Sequence, residues 1–132
     1  MILLDTHAAI WLAIDQGLGK QSQRIADKAL ADDRLTLSAF SFWELGMLIA
    51  KRRLRAVKSA GELRSKLLGA GIRELPLTGE IAILAAELEG LDGDPADRII
   101  AATAITHDAT LMTADANLLQ WRHGLKRHNA EQ

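Results

Sequence analysis

The chain contains no cysteine. That excludes zinc ribbons, thiol nucleophiles and disulfide frameworks, although it does not identify a compartment. No apolar run approaches the roughly 20 residues needed to span a bilayer. The opening Met1-Ile-Leu-Leu-Asp5 has no basic segment and meets an acid almost at once, so no signal peptide is expected and the cytoplasm is the expected location. An excess of one charge sign is missing too. The formal net charge is −1, and the chain as a whole makes no electrostatic case for nucleic acid. No internal repeat, low-complexity tract or linker divides the 132 residues, which are expected to form one domain, 1–132. A chain of this size buries roughly two thirds of its unfolded surface and needs no staple to fold.

What is present is an alternation of strand and helix patterns. The apolar run 1–4 reads as a buried strand, with further strands expected at 35–37, 72–75 and 110–113 and a weaker one near 125–128. Between them the period becomes helical. Ile81, Leu84, Ala85 and Leu88 form one apolar stripe with Glu80 and Glu87 off it, and residues 99–105 are apolar almost all round. This predicts an α/β fold with a mostly parallel four- or five-stranded sheet flanked by helices. In such sheets ligands gather beyond the carboxyl ends of the strands.

Four acids stand at the ends of apolar runs, each where a helix is expected to begin: Asp5, Glu44, Asp97 and Asp115. Each has a structural alternative. Ser41-Phe-Trp-Glu44 matches a capping box. Asp94-Pro-Ala-Asp97 reads as an N-cap, a proline at the first helical position and an acid in the first turn. Asp5 and Asp115 suit the positive ends of following helices. Taken singly, capping is the better reading. Together they shift it, because Asp5 follows four apolar residues and Glu44 is embedded in Phe42-Trp-Glu-Leu45. A carboxylate at such a depth is costly unless donors or a cation compensate it. Several acids sharing a pocket repel one another, and bound Mg²⁺ or Mn²⁺, both suited to oxygen ligands, removes that penalty.

Basic residues cluster between Lys51 and Lys66: Lys51, Arg52, Arg53, Arg55, Lys58, Arg64 and Lys66, opposed only by Glu62. They form either a solvated helical face or a phosphate-attracting rim beside an acidic centre. Lys51, Arg52 and Arg53, together with Arg98, are candidate phosphate contacts, and Arg98 equally suits pairing with the acids. His7 follows the first acid closely and either points into a cleft or, as the favoured reading, packs or caps locally. His107, His123 and His128 lack ligand spacing. Trp11, Trp43 and Trp121 suit base stacking, although core packing or a partner interface is the favoured reading for aromatics on helical apolar faces.

Four strings stand out: Leu3-Leu-Asp-Thr-His7 with Trp11, Ser38-Ala-Phe-Ser-Phe-Trp-Glu-Leu45, Asp94-Pro-Ala-Asp-Arg-Ile-Ile-Ala-Ala-Thr103 and Leu111-Met-Thr-Ala-Asp115. Taken together they resemble the PIN domain, and in particular the VapC-type ribonuclease toxins of bacterial toxin–antitoxin pairs. Any one is weakly specific, but their order and spacing cover nearly the whole chain. The resemblance implies a PIN-like three-layer sandwich and a metal-dependent endoribonuclease. Asp5, Glu44, Asp97 and Asp115 would be its catalytic and Mg²⁺- or Mn²⁺-binding acids. Thr6 and Ser41 would be hydroxyls orienting carboxylates, with Thr113 a polar support beside Asp115. One or two ions would activate a water and neutralise charge building on the phosphate. It further implies a cognate antitoxin whose tail occupies the active-site groove, and a homodimer. The Phe42/Trp43 region, Leu48-Ile-Ala50 and the basic segment are compatible surfaces for these partners.

The sequence departs from the family in its third motif. The family often has a histidine shortly before the Asp-Pro pair and an aromatic after it, whereas Leu91-Asp-Gly93 and Ala96 stand here. That bears on the shape of the cleft and on its substrate contacts.

Three alternatives stay open at this stage. An aspartate-nucleophile phosphatase wants a second acid two residues after the first, where His7 stands. A phospho-receiver domain wants an acidic pair at its first strand. A degenerate, catalytically inactive PIN-like module would bind RNA or protein without chemistry, but all four acids are present.

Overall fold

A computed structural model describes all residues, 1–132. Five strands form the sheet: β1 (Ile2–Leu4), β2 (Leu35–Ser38), β3 (Arg73–Leu75), β4 (Thr110–Thr113) and β5 (Arg127–Asn129). They lie in the order β3-β2-β1-β4-β5, and every neighbouring pair is parallel. The sheet is therefore wholly parallel, and the weak fifth strand expected near 125–128 is real, displaced slightly along the chain.

The register explains the layers. Leu4 stands beside Leu37 and Met112, while Leu3 stands beside Thr36 and Leu111. Because side chains alternate across a strand, Leu4, Leu37 and Met112 point to one face and Leu3 and Leu111 to the other. The first face packs against α1 (Thr6–Ile14), α2 (Lys20–Ala31), α3 (Ala39–Ala50) and α4 (Ala60–Gly69), through residues such as Ile10, Ala26, Leu45 and Leu63. The second packs against α6 (Pro95–Thr106) and α7 (Ala116–Gln120) through Ile100, Ala101, Ala104 and Leu118. A further helix, α5 (Gly79–Glu87), lies on the outside of α6, where Ile81 and Ala85 meet Ala102. The stripe expected along α5 and the all-round burial of the middle of α6 are both present. The three-layer α/β sandwich follows from them.

Two features of the topology position what comes next. The chain leaves β1 toward β2 and β3, then crosses back to β4 and β5, so β1 and β4 flank the point where the winding reverses. Parallel strands also force the connecting helices to run back against them. The start of α1, the start of α3 and, because it leads into β4, the start of α6 therefore all lie at the carboxyl edge of the sheet.

Candidate functional site

The carboxyl edge of β1 delivers Asp5. Its backbone N–H continues the ladder to Met112 O at 3.1 Å, and its side chain caps α1, with Oδ1 accepting from Ala8 N at 2.8 Å. The other oxygen, Oδ2, accepts from Thr113 Oγ1 at 2.5 Å. Asp5 is 8% exposed, and burial pushes its carboxyl above the usual range despite both donors.

Asp115 arrives from β4 in the same manner. It caps α7, accepting from Leu118 N at 2.9 Å, while its own N–H donates to Thr113 Oγ1 at 3.0 Å. Thr113 is thus a bridge, whose hydroxyl proton goes to Asp5 and whose lone pair takes the backbone of Asp115. The support expected beside Asp115 reaches that residue only through its backbone, and its carboxylate contact is with Asp5.

Glu44 corrects a sequence expectation. The helix starts at Ala39, capped by Ser38, whose Oγ accepts from Phe40 N at 3.1 Å. Ser41 and Glu44 therefore lie inside α3 and form no capping box, because the helix follows β2 without a loop. Three apart, they share one helical face, which is turned toward α1. There Thr6 Oγ1 donates to Glu44 Oε1 at 2.6 Å and lies 3.0 Å from Ser41 Oγ. Burial is the main cause that raises Glu44 above its ordinary value, with nearby Asp94 and Asp5 adding to it.

Asp97 occupies the first turn of α6, behind Asp94, the N-cap whose Oδ1 accepts from Ala96 N at 3.0 Å. Its carboxyl is pushed up to about 7, first by burial and then by Asp115, Asp94, Glu44 and Asp5. A single group feels all the other acids, so they share one field. Asp5, Glu44, Asp94, Asp97 and Asp115 indeed line one cleft of about 90 Å³, with Ile100 and Leu118 as its apolar floor. Asp94, read as a cap, is both a cap and part of this wall.

All-carboxylate walls with hydroxyl supports fit a hard divalent cation, which takes oxygen ligands and offsets their mutual repulsion. No three of the carboxylates form a closed ligand cage as they stand. The cleft has room for a cation that keeps part of its water shell.

Other expected residues lie elsewhere. Arg98 neither pairs with the acids nor faces the cleft as a free cation, since its guanidinium donates to Ala85 O at 3.1 Å and Leu88 O at 2.7 Å. Carbonyls at the end of a helix lack helical partners, and Arg98 satisfies that of Ala85 in the last turn of α5 and that of Leu88 just after it. Lys51, Arg52 and Arg53 follow the far end of α3, exposed and outside every salt bridge. At 1.5 Å per residue they stand about 10 Å along the helix from Glu44. Within the same basic segment, Arg64 is held by Glu74 at 2.8 Å and Lys66 by Ala13 O at 2.6 Å. Phe42, Leu48 and Ile49 are partly buried against the core. The exposed apolar side chains of α3 are Trp43, 60% exposed and stacked on Phe40, and Met47.

Trp121 is buried, with Nε1 donating to Glu89 O at 2.9 Å and His123 tilted against it. His128 lies 2.9 Å from Ser22 Oγ. Of the two readings open for His7, the less favoured one holds: it is exposed and lines the acidic cleft. Its spacing of four from Trp11 on one helix was the available signal.

The model of the PIN domain family matches residues 2–123. Over 125 residues, 92% of each chain, the sequence is 34% identical to "Ribonuclease VapC22" of Mycobacterium tuberculosis. Among solved structures, it resembles a chain of FitAcB from Neisseria gonorrhoeae, at a TM-score of 0.65 and 25% identity over 98% of each chain. It also shares its fold with a chain of VapBC2 from Rickettsia felis bound to a promoter DNA fragment, at a TM-score of 0.68 and 23% identity over 98% of each chain.

Proposed function

The chain belongs to the PIN domain family, and on that premise we propose that it is a metal-dependent endoribonuclease, the toxin of a VapBC-type pair. The observation that carries the reading is the convergence of Asp5, Glu44, Asp97 and Asp115, from four separate segments, on one cleft at the reversal point of a parallel sheet.

Asp5, Glu44, Asp97 and Asp115 would hold Mg²⁺ or Mn²⁺, with Asp94 at the mouth. When bound, such an ion supplies a nucleophilic water and offsets charge on the phosphate. The protein's own part is orientation and charge. Thr113 fixes one oxygen of Asp5 and the Ala8 amide fixes the other, so that carboxylate cannot rotate. Thr6 holds Glu44 in the same way. Asp97 has no such donor; without a cation its carboxyl is pushed up to about 7 by burial and the neighbouring acids, and a bound cation would favour its charged form. Lys51, Arg52 and Arg53 would bind flanking phosphates, which suits a strand longer than the cleft itself.

An antitoxin partner is part of the proposal, and the complexes among the structural relatives support it. So is a homodimer, for which exposed Trp43 and Met47 on α3 offer an apolar contact. A cytoplasmic setting completes it; no helix is long and apolar enough to cross a membrane. A fluorogenic RNA assay with and without EDTA tests the activity. Cleavage that needs Mg²⁺ or Mn²⁺ and is lost in Asp97→Asn is expected. Metal-independent cleavage, or a wild-type rate in that variant, overturns it.

A further inference from the structure

A second and larger cleft, about 280 Å³, adjoins the acidic one and shares Asp5, His7 and Asp115 with it. Trp11, Ala114 and Glu131 complete its wall. None of these three belongs to the acid set, and residue 131 is brought in by the sheet and by the start of α2, where Gly19 N and Gln21 N donate to Ala130 O at 2.9 Å and Gln132 O at 2.8 Å. Ala130 N donates to Thr113 O at 2.9 Å, which sets the segment after β5 beside the end of β4. The Glu131 N–H then donates to Asn129 Oδ1 at 2.9 Å, leaving its carboxylate exposed.

Trp11 is held rather than loose. Gly17, at φ +98, lies flat against the indole, so close that a Cβ there would stand 2.6 to 2.9 Å from three ring atoms. The ring therefore has a fixed backing, and its pocket side is a preset apolar wall, which is what a stacked base requires.

Charge decides which part of a nucleic acid fits. Asp5, Asp115 and Glu131 border this cleft against one histidine. A cation on Asp5 and Asp115 would offset those two charges, but Glu131 lies outside that set and stays negative, so at its end of the cleft a phosphate would be repelled and a neutral base presenting N–H groups attracted. We propose that this cleft receives the base of the nucleotide next to the cleaved phosphate, Trp11 forming the wall it stacks on and Glu131 accepting from an exocyclic amine. The proposal rests on the ribonuclease reading and adds a specificity to it. Glutamate accepts well from the cytosine amino group, while uracil offers a carbonyl at that position. Amino-bearing bases should therefore be preferred to uracil. His7, on the ridge shared by both clefts, is placed to meet the backbone between base and phosphate.

The test separates binding from cleavage. Single-stranded RNA pentamers with cytosine, uracil or an abasic ribose at the centre are titrated by fluorescence anisotropy in Ca²⁺, against the wild type, Glu131→Gln and Trp11→Phe. The wild type should bind the cytosine pentamer on the order of tenfold more tightly than the abasic one and several-fold more tightly than the uracil one. Glu131→Gln, a change of an exposed side chain, should erase the cytosine–uracil difference and keep the base–abasic one. Trp11→Phe should shrink the latter. Equal binding of base-bearing and abasic pentamers, or an unchanged cytosine preference in Glu131→Gln, overturns the proposal. So does base-independent binding whose Ca²⁺ requirement, read against the same titration in EDTA, depends on Glu131, which would make the cleft a cation site. Failure of the wild type to cleave these pentamers in Mg²⁺ counts against the ribonuclease reading alone, because the binding pattern is read without cleavage.

Discussion

Replacing Asp97 with asparagine should stabilise the metal-free protein while abolishing its activity. In the folded chain the Asp97 carboxyl lies near 7 instead of 3.8, because burial and four neighbouring acids disfavour its charge. Each pH unit of such a shift is worth about 1.4 kcal/mol, so the full displacement corresponds to ~4 kcal/mol. Asp97 is partly exposed, and solvent screening reduces this to roughly 2 kcal/mol. The sign follows from the raised value. The folded state holds a proton that the unfolded state releases, so the stability linked to it is complete below about pH 4 and is lost as pH rises through 7. Asparagine has the shape of the neutral acid and no charge to desolvate. In EDTA the variant should melt roughly 6–10 °C above the wild type at pH 8, with the gap closing toward pH 4. Differential scanning fluorimetry across that range reads it directly. A variant no more stable than the wild type at pH 8, or a gap independent of pH, would refute the reasoning that these acids share one field.

Three further outcomes are expected. Thr113→Val leaves Asp5 without the donor on Oδ2, so single-turnover cleavage should fall roughly 10- to 100-fold; an unchanged rate would remove Thr113 from the site. Arg98→Met strands the carbonyls of Ala85 and Leu88 and should cost about 1–3 kcal/mol in urea denaturation, while the salt dependence of RNA binding stays as it was. Replacing Lys51, Arg52 and Arg53 together with alanine should do the reverse: stability unchanged, and the slope of log affinity against log salt reduced by up to about 2 for single-stranded RNA.

Much of this fold was visible in the sequence because parallel sheets bury both faces. Residues 1–4 are a short apolar run and Thr110-Leu-Met-Thr113 sets two apolar residues between β-branched ones, patterns that suit buried central strands, and they carry Asp5 and Asp115 to their places. The helical acids were harder to place. Ser41 and Glu44 have the spacing of a capping box, yet Ser38 starts the helix a turn earlier, and local spacing cannot reveal which of two serines caps. Their true partner, Thr6, is more than thirty residues away in sequence. Arg98 misled for a similar reason, since a basic residue next to an acid suggests an ion pair while its real acceptors are the backbone end of another helix. Glu131 could not be found without the pairing of β4 and β5 and the hydrogen bonds to the start of α2, which bring it into one cleft with Asp5 and Trp11.

The central claim is that Asp5, Glu44, Asp97 and Asp115 act as one cation site. Titrating Mn²⁺ into the wild type and into Asp5→Asn, Glu44→Gln, Asp97→Asn and Asp115→Asn, with the melting temperature as readout, tests it most directly. The wild type should gain stability with the logarithm of Mn²⁺ concentration above its Kd, and every variant should lose most of that gain, whatever its starting Tm. Full Mn²⁺ stabilisation retained in any one of the four, or none in the wild type, would contradict it.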